Sequence, residues 1–135
     1  VYAVVSTVDP ARIGFNDITQ RYAIDDTQRE ARYRALLESL LYTFIQPNGA
    51  MRTTQHPHIV DFKGIIGISS QLVPAPTISP LNRDYQKELE QIAGGLNTLH
   101  PGTVTLQRFE SLGAFTTILT ELIESTGPFK LTYAS

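Results

Sequence analysis

Hydrophobic spacing along the chain switches repeatedly between a strand-like and a helix-like period. Tyr2-Ala3-Val4-Val5-Ser6-Thr7-Val8 is β-branched and apolar on both alternating faces, the pattern of a strand buried on both sides. Asp9-Pro10 ends it, because proline fixes φ and has no N–H to give a ladder. Residues 10–25 are mixed; Ile13, Phe15, Ile18 and Tyr22 suit a loop followed by a short helix from about Asn16. Then Tyr33, Leu36, Leu37, Leu40, Leu41, Phe44 and Ile45 recur at the three-and-four spacing of one helical face. Thr27 and Glu30 stand at capping-box spacing, and Asp25 and Asp26 sit where the helix dipole favours negative charge. With Pro47-Asn48-Gly49 as the stop, a helix is predicted over Thr27–Gln46, with Arg29 and Arg32 turned away from its leucine stripe.

The second half repeats the theme. Ile59–Ile68 reads as a strand that runs on to Val73 or folds back there as a hairpin, and Gly64 and Gly67 within it mark a bulge or a close backbone approach. Pro74, Pro76 and Pro80 make a stiff, extended connector. Ser79-Pro80 has the form of a helix start, with Leu81, Tyr85, Leu89 and Ile92 as one stripe. Gly94-Gly95 closes that helix unless Leu96 and Leu99 continue the face, and His100-Pro101-Gly102 breaks it. Val104 and Leu106 alternate with Thr103, Thr105 and Gln107 as a half-exposed strand. Leu112, Phe115, Ile118, Leu119, Leu122 and Ile123 form a third helix, capped by Ser111 and closed by Gly127-Pro128. Phe129, Leu131 and Tyr133 alternate with Lys130 and Thr132 in a last strand.

Alternating strands and helices favour a sheet covered by helices. The polar faces of the last two strands argue against an all-parallel sheet. The expected fold class is therefore α+β, a mixed four- or five-stranded sheet with about three helices mainly on one face; the alternative is a small α/β three-layer sandwich. The expected core is Val4, Val5, Leu36, Leu37, Leu40, Leu41, Phe44, Phe62, Leu89, Ile92, Val104, Leu106, Phe115, Leu119 and Leu122. At 135 residues the chain is sized for a single domain, and its opening on Val1 reads as part of a longer chain.

Composition narrows the function classes. With 41% hydrophobic and 18% charged residues the chain is expected to fold, and no apolar run reaches the roughly 18 residues of a membrane span. The absence of cysteine removes disulfides, thiolate metal sites and a Cys nucleophile. A net charge of −2 opposes general nucleic-acid binding. Arg12, Arg21, Arg29, Arg32 and Arg34 do cluster, but Asp25, Asp26, Glu30 and Glu38 interleave with them, so a nucleic-acid partner is not expected.

Specific chemistry is hard to find. In His56-Pro57-His58 the extended Pro dipeptide turns the two rings apart, so no metal is expected there, and His100 sits at a helix end. Gly67-Ile68-Ser69-Ser70-Gln71 lacks the second glycine of a nucleophile elbow. Gly64-Ile65-Ile66-Gly67 leads into strand rather than helix, so it makes no phosphate cradle, and no cofactor is implied. Asp61 shares a solvent face with Lys63, opposite Val60 and Phe62.

Two functional readings follow. The first is a non-catalytic protein–protein interaction or assembly module whose partner is another protein or a second copy. Its contacts are Leu72, Val73 and Ile78 on the proline connector, and Phe129, Leu131 and Tyr133 on an edge strand. The second is a ligand-binding or catalytic α/β domain holding a small polar or anionic ligand at the strand carboxyl ends, through Thr7, Asp9, Ser69 and Arg108.

Overall fold

A computed structural model describes residues 2–45 and 61–131. Two compact units are present: a ribbon unit, Val1–Val8 with Lys63–Glu110, and a helical unit, Asp9–Phe62 with Ser111–Ser135. The expected mixed sheet and the three-layer alternative are both overturned. Among the described residues there are three α-helices and two separate two-stranded antiparallel sheets.

In the helical unit a 3₁₀ turn, Pro10–Arg12, leads into a small hairpin of β1 (Phe15–Asn16) and β2 (Arg21–Tyr22), where a helix from Asn16 is expected. The Asn16 side chain decides the matter. Its Oδ1 accepts the amides of Ile18 (2.9 Å) and Thr19 (3.2 Å), closing a turn, and Gln20 takes a positive φ of 57°. Ile18 is left 94% exposed, whereas Phe15 and Tyr22 meet edge to face at 5.3 Å.

Helix α1 (Asp26–Ile45) follows, close to the predicted span, with Gln46 outside the described residues. Its cap is Asp25 rather than Thr27: Asp25 Oδ1 accepts the Gln28 amide at 2.8 Å. Helix α3 (Leu112–Ser125) begins as expected at Ser111, whose Oγ accepts the Ala114 amide at 3.1 Å. The two helices pack together, burying Leu37 and Leu41 of α1 and Phe115 and Leu119 of α3. Phe44, Phe62 and Phe115 close one end of this core, with ring centroids 4.9–5.5 Å apart.

In the ribbon unit, β3 (Gly64–Ser69) pairs antiparallel with β4 (Val104–Phe109), from Gly64↔Phe109 to Ser69↔Val104. The connection leaves and re-enters at the same end of the ribbon. The proline connector therefore runs outward and helix α2 (Tyr85–Leu99) brings the chain back. Its direction shows in two contacts, Glu90 pairing with Arg108 near one end and Asn97 bonding Val104 at the other. Helix α2 starts at Tyr85 and not at Pro80. Ser79 Oγ accepts the Leu81 amide (3.3 Å) and Asn82 Oδ1 that of Asp84 (2.9 Å), so local turns consume residues 79–84 first. Gly94-Gly95 lies inside α2, which continues to Leu99.

Four further expectations change. Tyr2–Val8 forms no strand, and Val4 and Val5 are 54% and 53% exposed rather than core. Ile92 is likewise exposed, whereas Leu89, Val104 and Phe109 are buried. The second strand begins at Gly64, with Ile59 and Val60 outside the described residues. The residues Phe129–Leu131 carry no strand, and Thr132 and Tyr133 lie outside the described residues.

Candidate functional site

The sequence places Ser69 and Arg108 at carboxyl ends of strands, which share one edge of a sheet only when the strands are parallel. Here the strands are antiparallel, so Ser69 pairs with Val104 while Arg108 pairs with Ile65. Four residues of ribbon, about 13 Å, separate them. Ser69 Oγ donates to the Gln71 carbonyl at 3.0 Å, and Arg108 is paired with Glu90. Thr7 is exposed, and Asp9 lies 3.8 Å from Arg12, three residues on.

Among the residues placed at partner contacts, Leu72 is 63% exposed, while Val73 and Ile78 are half-buried. The connector that carries them also packs on its own ribbon, where Ala75 and Pro76 lie against Gly67. Phe129 and Leu131 instead face inward: Leu131 is 4% exposed and forms a small apolar cluster with Ala11, flanked by Phe15, Tyr22 and Phe129.

That cluster is held by a residue expected to face solvent. Arg29 is 2% exposed. Its Nε donates to the Ile13 carbonyl (3.0 Å), and its Nη2 donates to the carbonyls of Pro10 (3.2 Å) and Phe129 (2.8 Å). The guanidinium lies 4.1 Å from the centre of the Tyr22 ring, a cation–π contact. Tyr22 completes the arrangement, donating from its hydroxyl to Ala11 O (2.9 Å) and accepting the Leu131 amide (2.9 Å). Two side chains thus bind the 3₁₀ turn, the hairpin, α1 and the C-terminal segment together through main-chain groups. The clue in the sequence is the i+4 ridge Tyr33, Leu37, Leu41, which Arg29 extends by one turn toward the N-terminus.

A groove of about 420 Å³ opens between α1 and α3, lined by Glu30, Tyr33, Arg34, Glu124 and Thr126. Tyr33 and Thr126 share a 2.6 Å hydroxyl contact across it, and Arg34 reaches back to Glu38 at 3.0 Å. Among the described residues no buried side-chain N or O atom lacks a partner, no group of three or more His, Asp or Glu could hold a metal, and no helix is long and apolar enough to cross a membrane. His56 and His58 lie outside the described residues.

Residues 1–90 match the model of the family described as CRISPR-associated negative auto-regulator DevR/Csa2. The chain belongs to the DevR/Csa2 family. The match spans the turn, the hairpin, α1, β3, the connector and the first turn of α2, so the DevR/Csa2 region includes Arg29, Tyr22 and Leu72. No curated protein and no solved structure matches the chain.

Proposed function

We propose that this DevR/Csa2 chain is a non-catalytic interaction or assembly component of a CRISPR-associated system, contacting a protein partner through Leu72, Val73 and Ile78 of the connector. The family match is the observation that supports the reading, because it makes the chain a CRISPR-associated protein. The connector suits the role physically. Its prolines restrict the backbone before binding, so docking costs little ordering entropy, and Leu72 offers an apolar side chain to solvent.

CRISPR effectors also work around RNA, which proteins hold through positively charged channels. The charge arrangement favours a protein partner. Arg12 is paired with Asp17, Arg34 with Glu38 and Arg108 with Glu90, so these cations are each opposed by a carboxylate.

Co-expression with the CRISPR-associated proteins encoded beside it, followed by size-exclusion chromatography with light scattering, tests the reading. The expected result is co-elution in a defined complex that Leu72→Asp weakens at least tenfold, with the variant's circular dichroism unchanged. Elution as a lone monomer from every such mixture, with or without guide RNA, would overturn it.

A further inference from the structure

Residues Phe129-Lys130-Leu131 lie on the helical unit as a bound peptide lies on a receptor. They belong to no helix or strand, and among the described residues no hydrogen bond between main-chain groups holds them. Side chains hold them instead. Phe129 O accepts from Arg29 Nη2 at 2.8 Å, the Lys130 ammonium meets the Asp26 carboxylate at 3.1 and 3.3 Å, and the Leu131 amide donates to Tyr22 Oη at 2.9 Å. The Leu131 side chain packs on Ala11, with Phe129 beside it. Upstream, the Thr126 amide closes α3 on the Leu122 carbonyl, and Gly127 follows with open space around it.

The receiving surface is complete without this strap. Arg29 also donates to the carbonyls of Ile13 and Pro10, and Tyr22 to that of Ala11, so both side chains are fixed by the elements they stand on. The guanidinium rests on the Tyr22 ring, which Phe15 meets edge to face. Each side chain then has one group left for an incoming segment: a guanidinium N–H for a carbonyl, and a hydroxyl lone pair for the amide two residues on. Groups held ready in this way lower the ordering cost of binding.

We propose that Ala11, Tyr22, Asp26 and Arg29 form a recognition site for an extended segment of a partner protein, one with an aromatic, a basic and an aliphatic residue in succession, and that Phe129-Lys130-Leu131 fills this site in cis as an exchangeable strap. Arg29 and Tyr22 bind the main chain, which any sequence offers. The short side chain of Ala11 forms the floor of the aliphatic position, and Asp26 selects a cation at the middle one. Lys130 and Asp26 are both exposed, so their pairing sets specificity more than affinity. A second copy arrives with its own strap already seated, and swapping straps gains no contact at the site; a different protein adds one. Because the strap is covalently attached, a partner competes against an effective concentration on the order of millimolar. The proposal rests on the interaction reading above, which supplies the second attachment that such competition requires.

The test is fluorescence anisotropy of a labelled peptide, Gly-Pro-Phe-Lys-Leu-Thr with blocked ends, titrated with the full chain. Leu131→Asp expels the strap because its site would bury a charge, and Lys130→Glu loosens it by repulsion from Asp26 at an exposed position that folding tolerates. The expected result is binding about tenfold or more tighter than wild type for Leu131→Asp, and about threefold tighter for Lys130→Glu. Adding Tyr22→Phe to Leu131→Asp weakens peptide binding about fivefold, the value of one hydrogen bond. The same peptide with Asp in place of its leucine does not bind. Absence of binding to both variants, with circular dichroism unchanged, overturns the proposal, and so does equal binding to wild type and variants. In the co-expression mixtures excess peptide is expected to weaken the complex that Leu131→Asp forms; a complex indifferent to the peptide, or a dimer of the chain that the peptide dissolves, overturns the assignment to a different protein. Co-elution that persists while neither variant binds peptide leaves the interaction reading intact.

Discussion

Replacing Arg29 with Ala removes a buried guanidinium whose three donated bonds end on carbonyls, at Ile13, Pro10 and Phe129. Hydrogen bonds from a charged donor contribute about 1.5–3 kcal/mol each, and three summed independently give about 4.5–9 kcal/mol. That sum is an upper bound, because water reaches some of the vacated carbonyls and the loss of stacking on Tyr22 is not additive with it. Three carbonyls left without their donor cost about 1–3 kcal/mol each, and with water relieving part of that the expected loss is about 3–5 kcal/mol. Lysine keeps the charge and the alkyl stem but not the planar fork. Nζ cannot meet the geometry set for Nε and Nη2 together, so Arg29→Lys is expected to lose about 1.5–3 kcal/mol, one such bond. Urea titration of wild type, Arg29→Lys and Arg29→Ala gives the ranking. Exchange of the Leu131 amide, bonded to Tyr22 Oη, locates the damage: it is protected in the wild type and loses protection first in Arg29→Ala. A loss under about 1 kcal/mol with Leu131 still protected would refute the view that Arg29 holds the C-terminal segment down.

Three further predictions concern packing and helix propensity. Gly64→Ala would place a Cβ 2.7 Å from Phe109 Cζ, so the buried ring must shift; the expected cost is about 1–3 kcal/mol by chemical denaturation. Gly94→Ala and Gly95→Ala meet nothing within 4 Å, and each is expected to raise stability by about 0.5–1 kcal/mol through the helix propensity of α2. On α1, Leu41→Ala is expected to cost about 2–5 kcal/mol because Leu41 is 8% exposed, whereas half-buried Leu40→Ala costs about 1 kcal/mol; equal midpoints for the two variants would contradict the orientation of the helix.

Helices α1 and α3 were legible because their signals are local, whereas the start of α2 was not, its first residues being taken by turns at Ser79 and Asn82. A leucine stripe with a cap at one end locates α1 and α3 to within about a residue or two, and Ser111 behaves as its position implies. Strands need a partner that no local pattern names. Tyr2–Val8 has the composition of a buried strand and is unpaired, whereas β1 and β2, at two residues each, are too short to show alternation. The helix between β3 and β4 suggested a parallel crossover. The outward run of the connector and the return of α2 instead bring the chain back to the end it left, and antiparallel pairing follows. That reversal also separates Ser69 from Arg108. Arg29 escaped notice because charge outweighed its place on the Tyr33–Leu37–Leu41 ridge, and its acceptors lie up to 100 residues away in sequence.

The interleaving of the two units along the chain has a kinetic meaning. The Lys63–Glu110 insertion contains both strands of the ribbon and α2, so these elements can assemble with contacts of their own. Once Gly64 stands opposite Phe109, the ends of the insertion are tied, and the two halves of the helical unit no longer bear the loop-closure entropy of the whole excursion, roughly 3 kcal/mol. A ribbon that fastens first thus acts as a clasp, lowering the entropic cost of bringing Phe62 to Phe115 and of docking α1 on α3.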